Sequence, residues 1–223
     1  MITQKKINKM GNISSAVMNQ RQDTKKTELD DFPTPPWATR ALTQNVLRQY
    51  SLGKMSCLEP ACNRGHMADA LKETFKDVTS SDVQDYGYKE GSISDFLHTE
   101  YDQGSFDWVI TNPPFKDADK FILKALSIAK VGIAMLCRTA LIEGVSRYEK
   151  IYSKLPPSKV SPFVERVPMF KGQLDDKRSS ATSYTWFVWE KDKLNQATVI
   201  EWIGPCRRDL VRDGDYRNRP FAT

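Results

Sequence analysis

The chain has few of the residues that usually build metal centres or disulfide frameworks. Its 223 residues include only two histidines and four cysteines. The cysteines are Cys57, Cys62, Cys137 and Cys206. They lack Cys-x-x-Cys spacing and lie in or beside apolar segments, which is typical of reduced thiols packed as small hydrophobic side chains. Neither His66 nor His98 is spaced from a cysteine or carboxylate in a ligand pattern. The sequence therefore predicts no disulfide scaffold and no metal site.

Long apolar runs are also missing. No stretch approaches the roughly 20 residues that a membrane-spanning helix requires, and the N-terminal lysines are not followed by the apolar segment of a secretory signal. We therefore expect a soluble, cytoplasmic protein that has no membrane partner. Hydrophobic residues make up 39% of the chain, which is enough for the core of one sizeable domain.

Charge is distributed unevenly along the chain, whose net charge is +5. Residues 69–107 carry ten acids against three bases, whereas residues 113–160 carry nine bases against four acids. This asymmetry favours a basic surface that binds a polyanion, although solvated helix faces are an alternative explanation. Lys116, Lys120 and Lys124 lie at the start of the basic region and are candidates to contact a nucleic-acid backbone.

Three regions differ in composition. Residues 1–30 are polar, include six lysines and arginines, and predict a flexible arm. Residues 31–203 contain the periodic segments of one folded domain. Residues 204–223 are basic and poor in apolar residues, and predict either a tail or an extension that contacts phosphates.

The central region alternates between strand-like and helix-like segments. Strands are predicted at residues 55–60, 78–83, 91–97, 106–111, 132–137, 163–167 and 184–190. Helices are predicted at residues 38–50, from residue 66 onward, and at residues 118–129 and 147–155. This alternation predicts an α/β fold, with a mainly parallel sheet of seven strands and helices on both faces.

The tetrapeptide Asn112-Pro113-Pro114-Phe115 directly follows the fourth predicted strand. Prolines fix φ and donate no N–H, so the Pro113 carbonyl and the Asn112 carboxamide can both accept hydrogen bonds. Together they predict a pair of acceptors for one amino group on a planar base, with Phe115 stacked on that base. An ordinary turn with a core phenylalanine is the alternative.

A second candidate site follows the first predicted strand. Residues 59–65, Glu-Pro-Ala-Cys-Asn-Arg-Gly, stand before a helix, where nucleotide-binding loops occur. Asp82 ends the next strand 23 residues after Glu59, a spacing similar to that of carboxylates that accept from ribose hydroxyls. Asn63 can replace a loop glycine because asparagine adopts left-handed backbone conformations more readily than other residues. Each acid could instead cap a turn.

Taken in order, these motifs resemble the S-adenosylmethionine-dependent amino methyltransferases, in particular DNA adenine N6-methyltransferases of the kind seen in phages and prophages. The resemblance covers residues 31–140 and has the gamma order of motifs, with the cofactor loop before the catalytic fork. It implies a Rossmann-like methyltransferase fold with S-adenosylmethionine as cofactor, and catalytic roles for Asn112, Pro113, Pro114 and Phe115. One departure is Asn63, which stands where the family's loop usually has its first glycine.

The resemblance also implies a set of cofactor-binding residues. Asp82 would bind the ribose, Asp95 and Phe96 would border the adenine of the cofactor, and the turn at residues 34–37 would border its methionine end. The full set is Thr34, Pro35, Pro36, Trp37, Glu59, Pro60, Ala61, Cys62, Asn63, Gly65, Asp82, Val83, Asp95, Phe96 and Asn112. Trp37 could instead be a core residue.

These features lead to the hypothesis that the protein transfers a methyl group directly to the N6 amino group of adenine in DNA, without a covalent enzyme intermediate. The base would be flipped out of a duplex or would already be single stranded. Alternatives are the same transfer to RNA, at adenine N6 or guanine N2, or to a glutamine side chain of a protein. A nucleic-acid-binding module that has kept the fold but lost transfer is a further alternative, with Asn63 as its suggestive change.

Overall fold

An eight-stranded sheet forms the centre of the structure, a computed structural model that describes residues 30–194 and 196–217. The strands are β1 (Ser56–Glu59), β2 (Asp77–Asp82), β3 (Ser92–Ile93), β4 (Phe106–Thr111), β5 (Ala129–Arg138), β6 (Lys159–Pro162), β7 (Tyr184–Glu190) and β8 (Val199–Ile200). Their order across the sheet is β3-β2-β1-β4-β5-β7-β6-β8. Only the pairings of β7 with β5 and β6 are antiparallel, so the sheet is mainly parallel.

Short helices lie between these strands, before β1 and after β8. They are α1 (Pro36–Ala41), α2 (His66–Lys72), α3 (Ala118–Ile128), α4 (Val145–Arg147) and α5 (Arg207–Leu210). Two of them continue as π-helical turns, at Leu42–Val46 after α1 and at Tyr148–Tyr152 after α4. Pro36 begins α1 because its fixed φ suits the first helical position, where no N–H partner is needed.

Buried side chains pack against both faces of the sheet. On one face, Trp108 and Trp186 lie in a cluster with Trp37 of α1 and Leu71 of α2. The neighbouring positions in the same strands point to the opposite face, where residues such as Val109 pack with α3. The expected α/β architecture, with helices on both faces of a mainly parallel sheet, is confirmed.

Two details of the predicted strands are wrong. The sheet has eight strands instead of seven, because Val199 and Ile200 add an edge strand beside β6. The strand predicted at residues 163–167 is not formed, since the chain pairs with β7 earlier, through Lys159–Pro162. Phe163 makes one isolated bridge to Ile203, and Phe163 and Val167 pack on the core, whereas Val164 is exposed.

The third predicted strand is much shorter than expected. Residues 91–97 contribute only Ser92–Ile93 to the sheet. Asp95 ends the extended segment, because its carboxylate accepts from the Leu97 N–H at 2.9 Å and its carbonyl accepts from the Thr99 N–H at 2.8 Å. These bonds turn the chain away from β2.

The segment after β8 packs against the domain as far as it is described. The buried Arg40 guanidinium of α1 lies 2.6 Å from an Asp215 oxygen and 2.7 Å from a Glu73 oxygen. It also donates to the Leu210 carbonyl at 2.7 Å. These contacts attach residues 206–216 to α1, within the region that the sequence predicts as a tail.

The direction of the connections reverses between β1 and β4. From β1 the chain proceeds outward to β2 and β3, then returns to β4 on the other side of β1. In open α/β sheets, ligands bind beside such a reversal, at the carboxyl ends of the strands. The loops after β1, β2 and β4 all open at this edge. Over the described residues, we find no helix that combines the length and apolar character needed to span a membrane.

Candidate active site

A cavity of about 300 Å³ lies at this edge of the sheet. Its walls come from the loops after β1, β2 and β4, the turn at Asp95 and the start of α3. The lining residues are Asp30, Pro60, Ala61, Asn63, Asp82, Val83, Tyr86, Asp95, Phe96, Leu97, Asn112, Pro114, Lys116, Asp117 and Phe121. The loop after Glu59 and the fork at Asn112 therefore share one cleft, and its volume lies at the lower end of the range for small-molecule sites, roughly 300–1,000 Å³.

The loop after β1 has two residues with left-handed backbone. Asn63 has φ 49° and Gly65 has φ 78°. The Asn63 N–H donates to the Asp82 carboxylate at 2.8 Å, which connects the ends of β1 and β2. The asparagine thus adopts the conformation that the sequence predicts for a substitute glycine.

Gly65 is required by close packing as well as by its φ. A Cβ atom placed there would lie 2.2 Å from the Tyr88 ring, far inside the contact distance. Tyr88 is held in turn by hydrogen bonds with Asp69 at 2.6 Å and Lys72 at 2.7 Å, both on α2. The loop therefore turns into α2 against a fixed aromatic ring.

A short segment before α1, residues 30–33, crosses both halves of the site; we call it the strap. Asp31 is buried and accepts from Arg64 at 2.6 and 3.0 Å and from the Asn63 carboxamide at 2.8 Å. These hydrogen bonds hold the pKa of Asp31 below its usual value although burial alone would raise it. The Asp31 carbonyl accepts from the Gly172 N–H at 2.9 Å. The strap thereby holds the loop after β1 in place.

The same strap contacts the fork after β4. Asn112 donates its carboxamide N–H to the Phe32 carbonyl at 3.1 Å and to the Met169 sulfur at 3.8 Å. The Phe115 N–H donates to the Asp30 carboxylate at 2.8 Å. Asn112 Oδ1 is buried, and no side chain or backbone group among the described residues donates to it. The fork therefore presents a hydrogen-bond acceptor that the protein itself leaves unused.

Phe115 is not among the residues that line the cavity. Its ring packs against Phe32, with ring centroids 5.4 Å apart and planes tilted by 44°. The guanidinium carbon of Arg138, the last residue of β5, lies 3.9 Å from its centroid. A cation therefore covers part of the ring that the sequence predicts as a stacking surface for a base.

Asp82 and Glu59, the acids at the ends of β2 and β1, differ in their surroundings. Asp82 is buried, which raises the pKa of its carboxyl, while hydrogen bonds from the Asn63 and Gln84 N–H groups oppose that shift. Glu59 is fully buried. Its burial, and to a smaller extent repulsion from Asp82, raises its pKa well above the usual value. It hydrogen-bonds the Thr111 hydroxyl at 3.1 Å, which joins β1 to β4 beneath the cavity.

The turn after β3 supplies another wall. Asp95 and Phe96 both line the cavity, as does Tyr86. The Asp95 carboxylate also lies 2.7 Å from the His98 ring, whose hydrogen bond lowers the pKa of Asp95. Asp95 thus serves as a turn-capping acid and as a lining residue at once. Phe96 packs on Phe121 of α3 at 4.9 Å, which fixes the apolar side of the cleft.

The structure brings about half of the sequence-predicted site residues to the cavity. These are Pro60, Ala61, Asn63, Asp82, Val83, Asp95, Phe96, Asn112 and Pro114. The others are not among its lining residues: Thr34, Pro35, Pro36, Trp37, Glu59, Cys62, Gly65, Pro113 and Phe115. Trp37 is fully buried and packs edge-on against Phe163 at 5.4 Å, so its position is that of a core residue.

The basic residues after the fork are only partly available to a nucleic acid. Lys124 turns inward and donates to the Leu97 and Thr99 carbonyls at 3.0 and 2.6 Å. Lys120 pairs with Asp117 at 2.7 Å but stays exposed. Lys116 is exposed and lines the cavity. The prediction that Lys124 contacts a nucleic-acid backbone is wrong, because the turn after β3 uses its ammonium group.

Several residues of this site are not identified by any sequence motif. Asp30 is the last residue of the predicted arm, Asp31 is the first residue of the predicted domain, and Tyr86 lies in a polar stretch after β2. Arg138 ends an otherwise apolar strand, and only that contrast marks it. Each of these residues reaches the site through contacts between distant parts of the chain.

Comparison with known proteins supports the fold. No family model matches the sequence, and neither does any curated protein. The methyltransferase subunit of a type I restriction-modification system from Streptococcus thermophilus has a TM-score of 0.60 at 12% identity, covering 85% of this chain and 50% of that one. A candidate RNA methyltransferase from Pyrococcus horikoshii has a TM-score of 0.56 at 16% identity, covering 79% and 95%.

A third structure is similar over nearly the whole chain. The modification subunit of a candidate type I restriction enzyme from Vibrio vulnificus has a TM-score of 0.55 at 14% identity, covering 94% of this chain and 53% of that one. The chain thus spans about half the length of the two restriction-modification subunits. At such identities the similarity shows the fold, which is the Rossmann-like fold of these methyltransferases.

Proposed function

We propose that the protein transfers a methyl group from S-adenosylmethionine to the exocyclic N6 amino group of adenine in DNA. The observation that carries this proposal is the buried, unpartnered Asn112 Oδ1 at the wall of a cavity shared with the loop after β1. Buried acceptors are nearly always satisfied in folded proteins. An amino group of the substrate is the donor that would satisfy this one.

The residues of the cleft fit the proposed cofactor. Asp82 offers a carboxylate to ribose hydroxyls, and Val83, Phe96 and Ala61 offer apolar walls to an adenine ring. When bound, S-adenosylmethionine would supply an electrophilic methyl group. The amine lone pair would form the new N–C bond while the C–S bond breaks and sulfur keeps its electrons. The amine would release one proton to water. Asn63 is compatible with the loop, because its backbone adopts the left-handed conformation and its N–H donates to the Asp82 carboxylate.

Asn112 has a positioning and electrostatic role in this scheme. Its Oδ1 accepts a hydrogen of the amine, which orients the nitrogen lone pair and stabilises the positive charge that develops on nitrogen. A carboxamide accepts hydrogen bonds but takes up no proton at ordinary pH. The strap holds the carboxamide in place through the Phe32 carbonyl. Reaction therefore depends on geometry more than on acid–base chemistry.

The fold relatives and the charge distribution favour nucleic acid as the acceptor. Two of the similar structures are a methyltransferase subunit of a type I restriction-modification system and a modification subunit of a candidate type I restriction enzyme. Lys116, exposed at the rim of the cavity, offers a cation to a phosphate. A base in a duplex cannot enter a cleft of this kind without being flipped out, at a cost of a few kcal/mol.

RNA is the second candidate acceptor, because one similar structure is that of a candidate RNA methyltransferase. The experiment that distinguishes the acceptors uses S-adenosylmethionine with a tritiated methyl group. Plasmid DNA from a host without adenine methylation, total RNA and total protein are each incubated with the purified protein. Labelled products are digested and identified by mass spectrometry.

We expect label in DNA, recovered as N6-methyladenine, and none with the Asn112→Ala variant. Label recovered from RNA or from protein glutamine would replace DNA as the acceptor and keep the chemistry. No label in any of the three, from a protein that is folded, would leave a binding module that has the fold without the transfer activity.

A further inference from the structure

Two buried side-chain atoms of Asn112 and Arg138 have no hydrogen-bond partner within the described part of the chain. One is Asn112 Oδ1 and the other is Arg138 Nε. Asn112 lies three residues before Phe115, and the Arg138 guanidinium lies over the Phe115 ring at 3.9 Å. The first atom can only accept a hydrogen bond and the second can only donate one. The fork therefore contains an unused acceptor, and the guanidinium that covers the aromatic ring of the fork contains an unused donor.

The sheet explains how Arg138 comes to this place. It is the last residue of β5, which pairs in parallel with β4, the strand that leads into Asn112. On its other side β5 pairs with β7, where Arg138 is the partner of Tyr184. Neighbouring strands therefore position Arg138 at the edge of the sheet that carries the fork.

The buried Nε–H of Arg138, which has no partner among the described residues, requires an explanation. Buried polar groups without partners are rare in native structures and mark sites for a missing ligand or water. Arginine is also the residue that presents N–H donors in a rigid plane, and that plane stacks on aromatic rings. Stacking on Phe115 alone would use the plane of the guanidinium and would leave the Nε–H without a function.

We propose that Arg138 binds the methyl acceptor directly, by donating its Nε–H to a ring nitrogen near the reacting amine. This inference rests on the proposed function. For adenine, the N6 amino group donates to Asn112 Oδ1, and Arg138 donates to N1 or N7. The site then selects a planar group that carries an amino donor and a nearby acceptor on one edge. Phe115 holds the Arg138 guanidinium in place by stacking against it.

A purely structural role for Arg138 predicts different behaviour. If the guanidinium only restrains the Phe115 ring, its removal lowers transfer to every acceptor by the same factor. If it donates to a ring nitrogen, removal of that nitrogen from the substrate produces the same loss as removal of the arginine, and the two losses do not add. The combination of a protein variant and a substrate analogue separates the two roles.

The test compares adenine with two analogues that each lack one ring nitrogen. DNA copied with 7-deazaadenine in place of adenine lacks N7, and synthetic duplexes carrying 1-deazaadenine at the methylated position lack N1. Arg138→Met keeps an unbranched side chain over Phe115 but has no donor. Arg138→Lys keeps the charge but has no Nε–H. Arg48→Met is the control, since Arg48 is exposed and pairs with Glu201 outside the cavity.

We expect one of the two analogues to lower kcat/KM of the wild-type protein by about 10- to 100-fold, the range for a hydrogen bond to a charged donor. Both Arg138 variants should lose a similar factor on adenine and show no further loss on that analogue. Arg48→Met should behave as the wild type on all three substrates.

The inference is overturned if the wild-type protein methylates both analogues as well as adenine, or if Arg138→Met retains the full analogue penalty. The wild-type measurements decide the question even if a variant fails to fold. Failure of the proposed function has a different signature, because the wild-type protein would then transfer no methyl group to adenine in unmodified DNA.

Discussion

The Asn112 carboxamide donates its N–H to the Phe32 carbonyl oxygen at 3.1 Å. A backbone carbonyl can only accept, so this contact leaves the carboxamide one orientation, with Nδ2 toward Phe32 and Oδ1 away from it. The strap before α1 thereby determines which atom the fork presents to the cleft. The two residues are 80 positions apart in the chain, so the orientation is a property of the tertiary fold.

We predict that Asn112→Asp is damaging here. An aspartate has no N–H to donate to Phe32, and its second oxygen would face the carbonyl oxygen. We expect stability to fall by about 1–3 kcal/mol, the cost of leaving a buried polar group unsatisfied, and methyl transfer to fall by at least about 10-fold. Urea unfolding and tritium incorporation would measure the two effects.

Asn45→Asp is a suitable control for that variant, because Asn45 lies in the π-helical turn after α1 and away from the cavity. Equal activity and equal unfolding midpoints for Asn112→Asp and wild type would show that the Phe32 contact does not orient the carboxamide.

Gly65 offers a test of the loop geometry. Gly65→Ala places a Cβ 2.2 Å from the Tyr88 ring at a residue with φ 78°. Gly104→Ala is a matched control, since Gly104 has φ 73° and nothing within 4 Å of the added Cβ. The control should lose only the cost of a left-handed alanine, about 1–2 kcal/mol, whereas Gly65→Ala should lose clearly more and also weaken cofactor binding. Similar unfolding free energies for the two variants would refute the close-packing explanation.

The Asp31–Arg64 ion pair should stabilise the protein at neutral pH. Asp31→Asn leaves Arg64, which is 3% exposed, without its carboxylate partner; breaking a buried pair costs about 3–5 kcal/mol. Because the pKa of Asp31 is lowered in the folded protein, this stabilisation is fully present above pH 3.8, the ordinary value. It is lost as the pH falls through the lower, folded-state pKa.

Unfolding by urea across a pH series measures this contribution. The difference between wild type and Asp31→Asn should stay constant from neutral pH down to about the ordinary carboxyl pKa and then shrink. Asp102→Asn, at an exposed position, should differ little from wild type throughout. A difference that grows with acidity would contradict the assigned ion pair.

Glu59 should have the opposite pH dependence. Burial and then Asp82 raise its pKa well above 4.5, so the folded protein keeps a proton that the unfolded chain releases. Stability should therefore decrease as the pH rises above 4.5, by up to about 1.4 kcal/mol per pH unit until the folded-state pKa is reached. Glu59→Gln cannot titrate and should lack this slope. Parallel stability curves for the two proteins would show that Glu59 has an ordinary pKa.

The order of strands and helices from β1 to β5 could be predicted from the sequence, because alternating apolar segments and turn residues are local signals. The same signals placed Asp82 and Asn112 at the ends of parallel strands, which fold to the same edge of the sheet. The conformation of Asn63 also followed from a local preference. The cavity wall formed by these three residues was therefore accessible to sequence reasoning.

The remaining parts depend on contacts between distant residues. Nothing near Asp30 or Asp31 in the sequence indicates that they contact Phe115 and Arg64, since those contacts exist only once the strap crosses the site. Trp37 follows a proline turn like a site residue but packs in the core, because α1 lies against the sheet. The Arg138–Phe115 contact requires the register between β4 and β5, which no local pattern specifies.

The most direct test of the proposed cleft is a calorimetric titration with S-adenosylmethionine, performed on wild type and Asn112→Ala and combined with methyl-transfer assays on the same preparations. We predict that both proteins bind the cofactor with similar affinity and that only the wild type transfers the methyl group. Two results would contradict the proposed cleft. One is an Asn112→Ala protein with full transfer activity, and the other is a folded wild-type protein that binds no cofactor at millimolar concentration.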